Sequence, residues 1–178
     1  MKKIFVLLLA LLTLGLNTNA QQKKPKVLVA YVSMTGTTAK VAKLIANVSG
    51  GDLYEIAPQK PYTAADLDWR DRKSRSFVEM HDLKFRPALK GKKADIAKYD
   101  LVYLGYPIWW NLAPTLLNTF IEAHNLKGKT VVPFATSGGS SITNSVKELK
   151  KAYPSIKWQD GKLLNGASEN TIRQWLGK

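Results

Sequence analysis

The chain is 178 residues long and sets 27 Lys and Arg against 13 Asp and Glu, a formal charge of +14, with no cysteine and two histidines. The lack of cysteine excludes disulfides, thiolate chemistry and thiolate-ligated metals, and His81 and His124 are too few to build a histidine metal centre. The length suits one domain with a sizeable core, and the basic excess favours anionic lipid, an acidic protein or an anionic substrate.

The chain opens with Lys2 and Lys3, an apolar run from Ile4 to Leu16, and the small-residue end Thr18-Asn19-Ala20. That is the order of a secretory signal peptide. The run is shorter than the roughly 20 residues that span a bilayer. Residues 1–20 are therefore expected to be removed, leaving 21–178 as one exported domain, periplasmic or secreted, with no integral membrane segment. Lys2-Lys3 lacks the twin arginine of folded export, and no cysteine at the cleavage site offers a lipid anchor. Export removes nucleic acid from the expected partners, and any cofactor is then acquired outside the cytoplasm. The lysines are spread from Lys40 to Lys162, which fits a generally basic solvated surface as well as a docking surface.

Val27 to Val32 is a Val-rich apolar run that suits a strand buried on both faces. After Ser33-Met34-Thr35-Gly36-Thr37-Thr38 a helical stripe follows, with Val41, Leu44, Ile45 and Val48 on one side. Strand, hydroxyl-rich turn and helix make an anion site, because the first helical N–H groups are unpaired and Ser33, Thr35, Thr37 and Thr38 add donors. The turn has no lysine, and neither GxxxxGK[ST] nor GxGxxG occurs. Neutral donors suit one phosphate better than a chain of them. The same hydroxyls also suit plain helix capping, and the turn alone does not decide between the two.

Farther along, Asp52 to Ala57 reads as a short strand, Leu101 to Tyr106 as a buried one ending at Pro107, and Thr130 to Thr136 as another. A weaker strand lies near Lys157 to Leu164. Pro114 suits the first turn of a helix carrying Leu116, Leu117, Phe120 and Ile121. Ile142, Val146, Leu149 and Tyr153 form a second stripe, and Ile172, Trp175 and Leu176 a last one after Ser168. Strands alternating with helices predict a parallel sheet covered on both faces. Pro133 conflicts with a central strand, since it lacks a ladder donor.

Ligands of such sheets bind beyond the carboxyl ends of the strands, where the strand order reverses. The ends here are Ser33 to Thr38, Tyr106-Pro107-Ile108-Trp109-Trp110-Asn111, and Thr136-Ser137-Gly138-Gly139-Ser140-Ser141. They offer hydroxyls for a phosphate, paired tryptophans for a flat ring, and glycines that let backbone approach closely.

In these stretches the chain resembles the flavodoxin family, and especially its branch with a PIWW loop and a TSGGS loop. Ser33 to Thr38 matches the family's [ST]xTGxT pattern, and the likeness covers nearly all of residues 26–178. The resemblance implies a three-layer α/β fold with a doubly wound five-stranded parallel sheet in the order 2-1-3-4-5. It also implies FMN at the switch point; flavodoxin is the reference case for that order, so the placement is borrowed. By the same resemblance Ser33, Met34, Thr35, Gly36, Thr37 and Thr38 hold the FMN phosphate. Pro107, Ile108, Trp109, Trp110 and Asn111, with Thr136, Ser137, Gly138, Gly139 and Ser140, flank the isoalloxazine.

Two features depart from the family. Relatives commonly carry glycine after the tryptophan pair, where a peptide can flip towards the flavin, and this chain has Asn111, which tolerates left-handed backbone. Carrier flavodoxins are acidic, whereas this chain is basic and steers towards acidic partners. The implied function is that of an exported FMN protein in electron transfer or reduction of small acceptors such as quinones, with a redox partner protein or a small anionic acceptor. The competing reading is a non-redox module of the same fold that binds another phosphorylated or aromatic ligand, or a protein. GxSxG is absent, which disfavours a hydrolase.

Three further readings concern single positions. Tyr106 either flanks the ring or is structural. The long charged segment from Pro58 to Lys93 either folds over the flavin, binding an anionic substrate through Arg70, Arg72 or Arg75, or forms a solvated helix balanced by Asp66, Asp68 and Asp71. His124 sits at a predicted helix end, where a positive charge suits the dipole.

Overall fold

A computed structural model describes residues 24–178; the expected signal peptide, residues 1–20, lies outside them. The strands are β1 (Val27–Tyr31), β2 (Asp52–Glu55), β3 (Leu101–Pro107), β4 (Thr130–Thr136), β5 (Lys157–Trp158) and β6 (Lys162–Leu163). The helices are α1 (Thr37–Ser49), α2 (Arg75–His81), α3 (Thr115–Ala123), α4 (Thr143–Ala152) and α5 (Glu169–Leu176). All strand pairs are parallel and follow the order β2-β1-β3-β4-β5, with β6 also on β4. The expected order holds, and its fifth position is filled by two short strands instead of one.

Alternation along the strands sorts the core into two layers. Leu28, Ala30, Val102, Leu104 and Tyr106 pack on one face with Leu116, Leu117 and Phe120 of α3 and Leu149 of α4. Val29, Tyr31 and Tyr103 pack on the other with Val41 and Ile45 of α1 and Ile172 of α5. Both faces of β1 and β3 are thereby buried, which is why those strands read as continuous apolar runs. Gly105 leaves room for the buried Phe134 ring, since a Cβ there would lie 2.1 Å from Phe134 Cζ.

The conflict at Pro133 is resolved by the break in the fifth strand. Val131 and Ala135 accept hydrogen bonds from Gln159 and Leu164, so alternate residues of β4, Pro133 included, aim their polar groups at that neighbour. Opposite Pro133 the chain leaves the ladder, between Trp158 and Lys162, and no donor is missed. Pro114 is the N-cap of α3, one position before the expected first turn, while Ser168 caps α5 by accepting from the Thr171 N–H. Among the described residues no helix is long and apolar enough to cross a membrane.

Candidate functional site

The turn after β1 places its backbone before its side chains. Gly36 is the N-cap of α1 with φ 85° and makes no side-chain cap bond, a left-handed conformation that glycine adopts without a Cβ clash. Ser33 Oγ accepts from the Ala39 N–H at 3.1 Å. Thr38 is buried, with its Oγ1 2.9 Å from Thr136 Oγ1, which ties the turn to the end of β4. Thr35 and Thr37 are exposed with their hydroxyls 3.3 Å apart. Among the described residues, the N–H groups of Thr37 and Thr38 have no acceptor. Capping thus accounts for Ser33, and the rest of the turn keeps the donors that an anion needs.

The tryptophan loop is built differently. The Ile108 N–H donates to Thr136 O at 2.8 Å, and Trp109 and Leu112 exchange backbone bonds of 3.0 and 2.8 Å. Between them Trp110 (φ 45°) and Asn111 (φ 65°) are both left-handed, the backbone of a tight type I′ turn. Asparagine tolerates this conformation, whereas a bulky tryptophan there costs about 1–2 kcal/mol. Outside contacts hold the loop in place. The Trp109 ring meets Tyr62 edge-on at 5.6 Å, the Trp110 ring meets Phe77 and His81 edge-on at 5.7 Å each, and Asn144 Nδ2 donates to Asn111 O at 3.2 Å.

Those aromatic partners belong to the segment from Pro58 to Lys93, which is pinned at both ends where Gln59 N–H donates to Ala88 O and Lys90 N–H to Ala57 O. Its centre is a buried carboxylate. Glu79 is 2% exposed and takes the Arg75 guanidinium at 2.6 Å and the Tyr62 hydroxyl. Arg75 also donates to Lys60 O at 2.7 Å and stacks 3.9 Å over the Tyr62 ring. Burial, then the hydrogen bond to Glu79, pushes the Tyr62 phenol far above its ordinary range. Arg75 is therefore committed within the protein. Arg70 pairs with Asp68 in solvent, and Arg72 lies 6.0 Å from the Phe77 ring. The segment is a docked cover, with a solvated stretch around Asp66 to Asp71.

Turn, tryptophan loop, cover and the end of β4 enclose a cleft of about 790 Å³. Of the expected residues, Met34, Thr35, Thr37, Thr38, Pro107, Ile108, Trp109, Trp110, Thr136, Ser137 and Gly138 line it. Ser33, Gly36, Asn111, Gly139 and Ser140 do not, and they shape the loops from behind. Ser137 Oγ, for example, accepts from the N–H groups of Gly139 (3.2 Å) and Ser140 (2.8 Å). Leu67, Trp69 and Ser76 of the cover also line the cleft, as the reading in which this segment folds over the ring allows, and Asn165 and Gly166 after β6 line it without having been anticipated. Asn165 clamps Ser137 by accepting its N–H at 2.8 Å and donating to its carbonyl at 2.7 Å. The only sequence hint of these was the turn dipeptide Asn165-Gly166 and the isolated Trp69.

Tyr106 is fully buried, with its hydroxyl 3.0 Å from Ser145 Oγ, and burial pushes it up to about 12; it is structural and does not reach the cleft. The expected charge at His124 is also corrected. The ring is buried, Nε2 accepts from the Ala94 N–H at 3.0 Å and Nδ1 lies 2.7 Å from Phe120 O, so burial lowers its pKa and holds it neutral.

Among the described residues, no side chain lining the cleft is ionisable. Its walls suit a flat ring with a short anionic tail: unpaired N–H groups and hydroxyls at the turn, indoles and aliphatic carbons at the other loops.

Comparison with known proteins identifies the family and the fold. A family model described as flavodoxin matches residues 26–178. The crystal structure of a candidate flavoprotein from Bacteroides uniformis is 60% identical, with a TM-score of 0.85 over 88% of this chain and 100% of that one. Its counterpart from Bacteroides eggerthii is 62% identical, with a TM-score of 0.83 over 86% and 96%. A flavoprotein from Lactobacillus acidophilus, crystallised in complex with FMN, shares the fold at 21% identity, with a TM-score of 0.66 over 85% and 99%. No curated protein matches.

Proposed function

The chain belongs to the flavodoxin family over residues 26–178, and on that premise we propose that it is an exported FMN protein that transfers electrons or reduces small acceptors such as quinones. The observation that carries the reading is the cleft without an ionisable side chain, bordered by an anion-binding turn and an aromatic loop. FMN is the cofactor that the family and its FMN-bound relative support, and the residues present fit it. The N–H groups of Thr37 and Thr38, with the hydroxyls of Thr35 and Thr37, suit one phosphate. Trp109 and Trp110 suit a planar ring, and Gly138 leaves the backbone accessible at its edge.

Bound FMN supplies the electron chemistry. The protein's share is to bind the tail, orient the ring and exclude water from it with the cover of Leu67, Trp69 and Ser76. What supports export is the order of charge, apolar run and small residues in residues 1–20. The test is a fluorescence titration of FMN with purified protein. Quenching at micromolar FMN is expected, and its absence overturns the reading in favour of a non-redox module of the same fold. Direct oxidation of a nicotinamide donor by the loaded protein marks a reductase, whereas a requirement for a second protein marks a carrier.

A further inference from the structure

The cleft occupies the carboxyl edge of the sheet, and the amino edge has a different chemistry. Val27, Leu101, Thr130 and Lys157 stand side by side there, at the starts of parallel strands. Lys26 precedes β1, Lys98 precedes β3, Lys127 and Lys129 precede β4, and Lys157 opens β5. Lys178 reaches the same edge, with its Nζ 3.3 Å from Val48 O at the end of α1.

These cations are concentrated and outnumber the acids among them, Asp52, Asp95 and Asp100. The Lys26 and Lys98 ammonium groups lie 5.9 and 5.1 Å from the centre of one ring, Tyr99, and Lys129 Nζ donates to Tyr99 O at 2.6 Å. The acids of this edge stand among the lysines and offset part of their charge: Asp52 accepts the Tyr99 hydroxyl and Asp100 accepts the Lys26 backbone N–H. Tyr99, then Asp52 and Asp95, hold the Lys98 ammonium above its ordinary range. Among the described residues none of these lysines forms a side-chain ion pair. At the carboxyl edge, by contrast, Arg70 and Arg75 both do.

We propose that the amino edge docks on an anionic phospholipid surface and holds the cleft away from it. The chain enters the fold at this edge, where Lys24 leads into β1 and the apolar run Ile4 to Leu16 lies upstream. Lys24 and Lys26 stay beside this edge after the expected cleavage at Ala20, so the exported domain keeps the whole basic row. β3 is seven residues long, which at about 3.3 Å each puts more than roughly 20 Å between this edge and the cleft. A protein seated here touches no cleft residue, so the edge serves to hold the domain and not to deliver electrons. A row of juxtamembrane lysines gains affinity for anionic lipid additively and loses it to salt. The proposal goes beyond the FMN reading and does not depend on it.

The test is vesicle co-sedimentation of residues 21–178, a span over which the 60% identical relative folds. Binding is expected to vesicles of phosphatidylcholine mixed with phosphatidylglycerol, not to phosphatidylcholine alone, and to fall as salt rises. Replacing Lys26, Lys98, Lys127 and Lys157 together by Gln should weaken partitioning on the order of a hundredfold or more. Replacing Lys43, Lys84, Lys147 and Lys162 by Gln removes the same charge away from the edge and should change it less than about threefold. Unaltered thermal unfolding verifies that both variants are folded. Equal losses in the two variants, or no sedimentation with anionic vesicles at low salt, overturn the proposal, and the second result leaves an acidic protein as the occupant. FMN titration of the same samples separates this failure from failure of the cofactor reading.

Discussion

The hydroxyl turn and the tryptophan loop border one cleft and are held in opposite ways. The turn is set by near neighbours: Gly36 supplies the left-handed backbone and Ser33 caps the Ala39 N–H, with Thr136 its distant contact. The tryptophan loop contains two left-handed residues, one of them a tryptophan, and is held by Tyr62, Phe77, His81 and Asn144. A phosphate site can be written into a few consecutive residues, because backbone N–H groups do the binding. A ring slot needs walls, and walls come from elsewhere in the chain.

If the tryptophan wall depends on the cover, removing the carboxylate at the cover's centre should have the largest effect. Glu79→Ala leaves Arg75 and the Tyr62 hydroxyl without their partner in a buried site, and it should cost about 3 kcal/mol of stability. Urea unfolding measures it, and a loss under about 1 kcal/mol would mean that the wall stands without its ion pair. The complementary change is Gly36→Ala, which puts a Cβ into a left-handed position and should cost about 1–2 kcal/mol. That loss is expected to appear as roughly tenfold weaker FMN quenching, with the tryptophan emission of the unliganded protein unchanged. Altered emission would show that the turn and the wall are one unit.

α3 follows the tryptophan loop and allows two smaller tests. Thr115, its first residue, is 2% exposed, and its hydroxyl is buried without a partner. Thr115→Val removes an unpaired polar group at constant shape and should raise stability by about 1 kcal/mol; a lower unfolding midpoint would point to an unseen partner. The smallest effect is a pH dependence at His124, whose burial lowers its folded-state pKa below the ordinary imidazole value of about 6.5. As pH falls below that value the unfolded chain takes up the proton first. The contribution is therefore complete above about 6.5 and is lost as pH falls towards the folded-state pKa. His124→Gln should flatten this part of the stability–pH curve, and an unchanged slope would assign it to other groups.

The legibility of the chain follows the same division. β1, β3 and β4 were readable because burial on both faces demands continuous apolar runs, and α1, α3, α4 and α5 because one apolar stripe faces the sheet. The break between β5 and β6 was half visible, as Pro133 signalled a missing donor and the weak apolar pattern after Lys157 signalled a poor strand. The cover was readable only as one of two alternatives for the segment from Pro58 to Lys93. Its α2 has seven residues, too few for a clear periodicity, and its order rests on Glu79, Arg75 and Tyr62, which in sequence look like ordinary solvated polar residues.

Local chemistry in the chain was enough to specify the main strands, the main helices and a parallel sheet, since each depends on the period of burial, while the strand order came with the family resemblance and the turn alone left capping and anion binding open. Long-range contact alone assigned Trp109 and Trp110 to a wall under Tyr62 and Phe77, placed Leu67, Trp69 and Asn165 at the cleft, and gathered Lys26, Lys98, Lys129 and Lys157 on one edge. The reason is physical. Side-chain pairing and surface charge depend on which distant segments the parallel sheet brings side by side, and no periodicity along the chain records that.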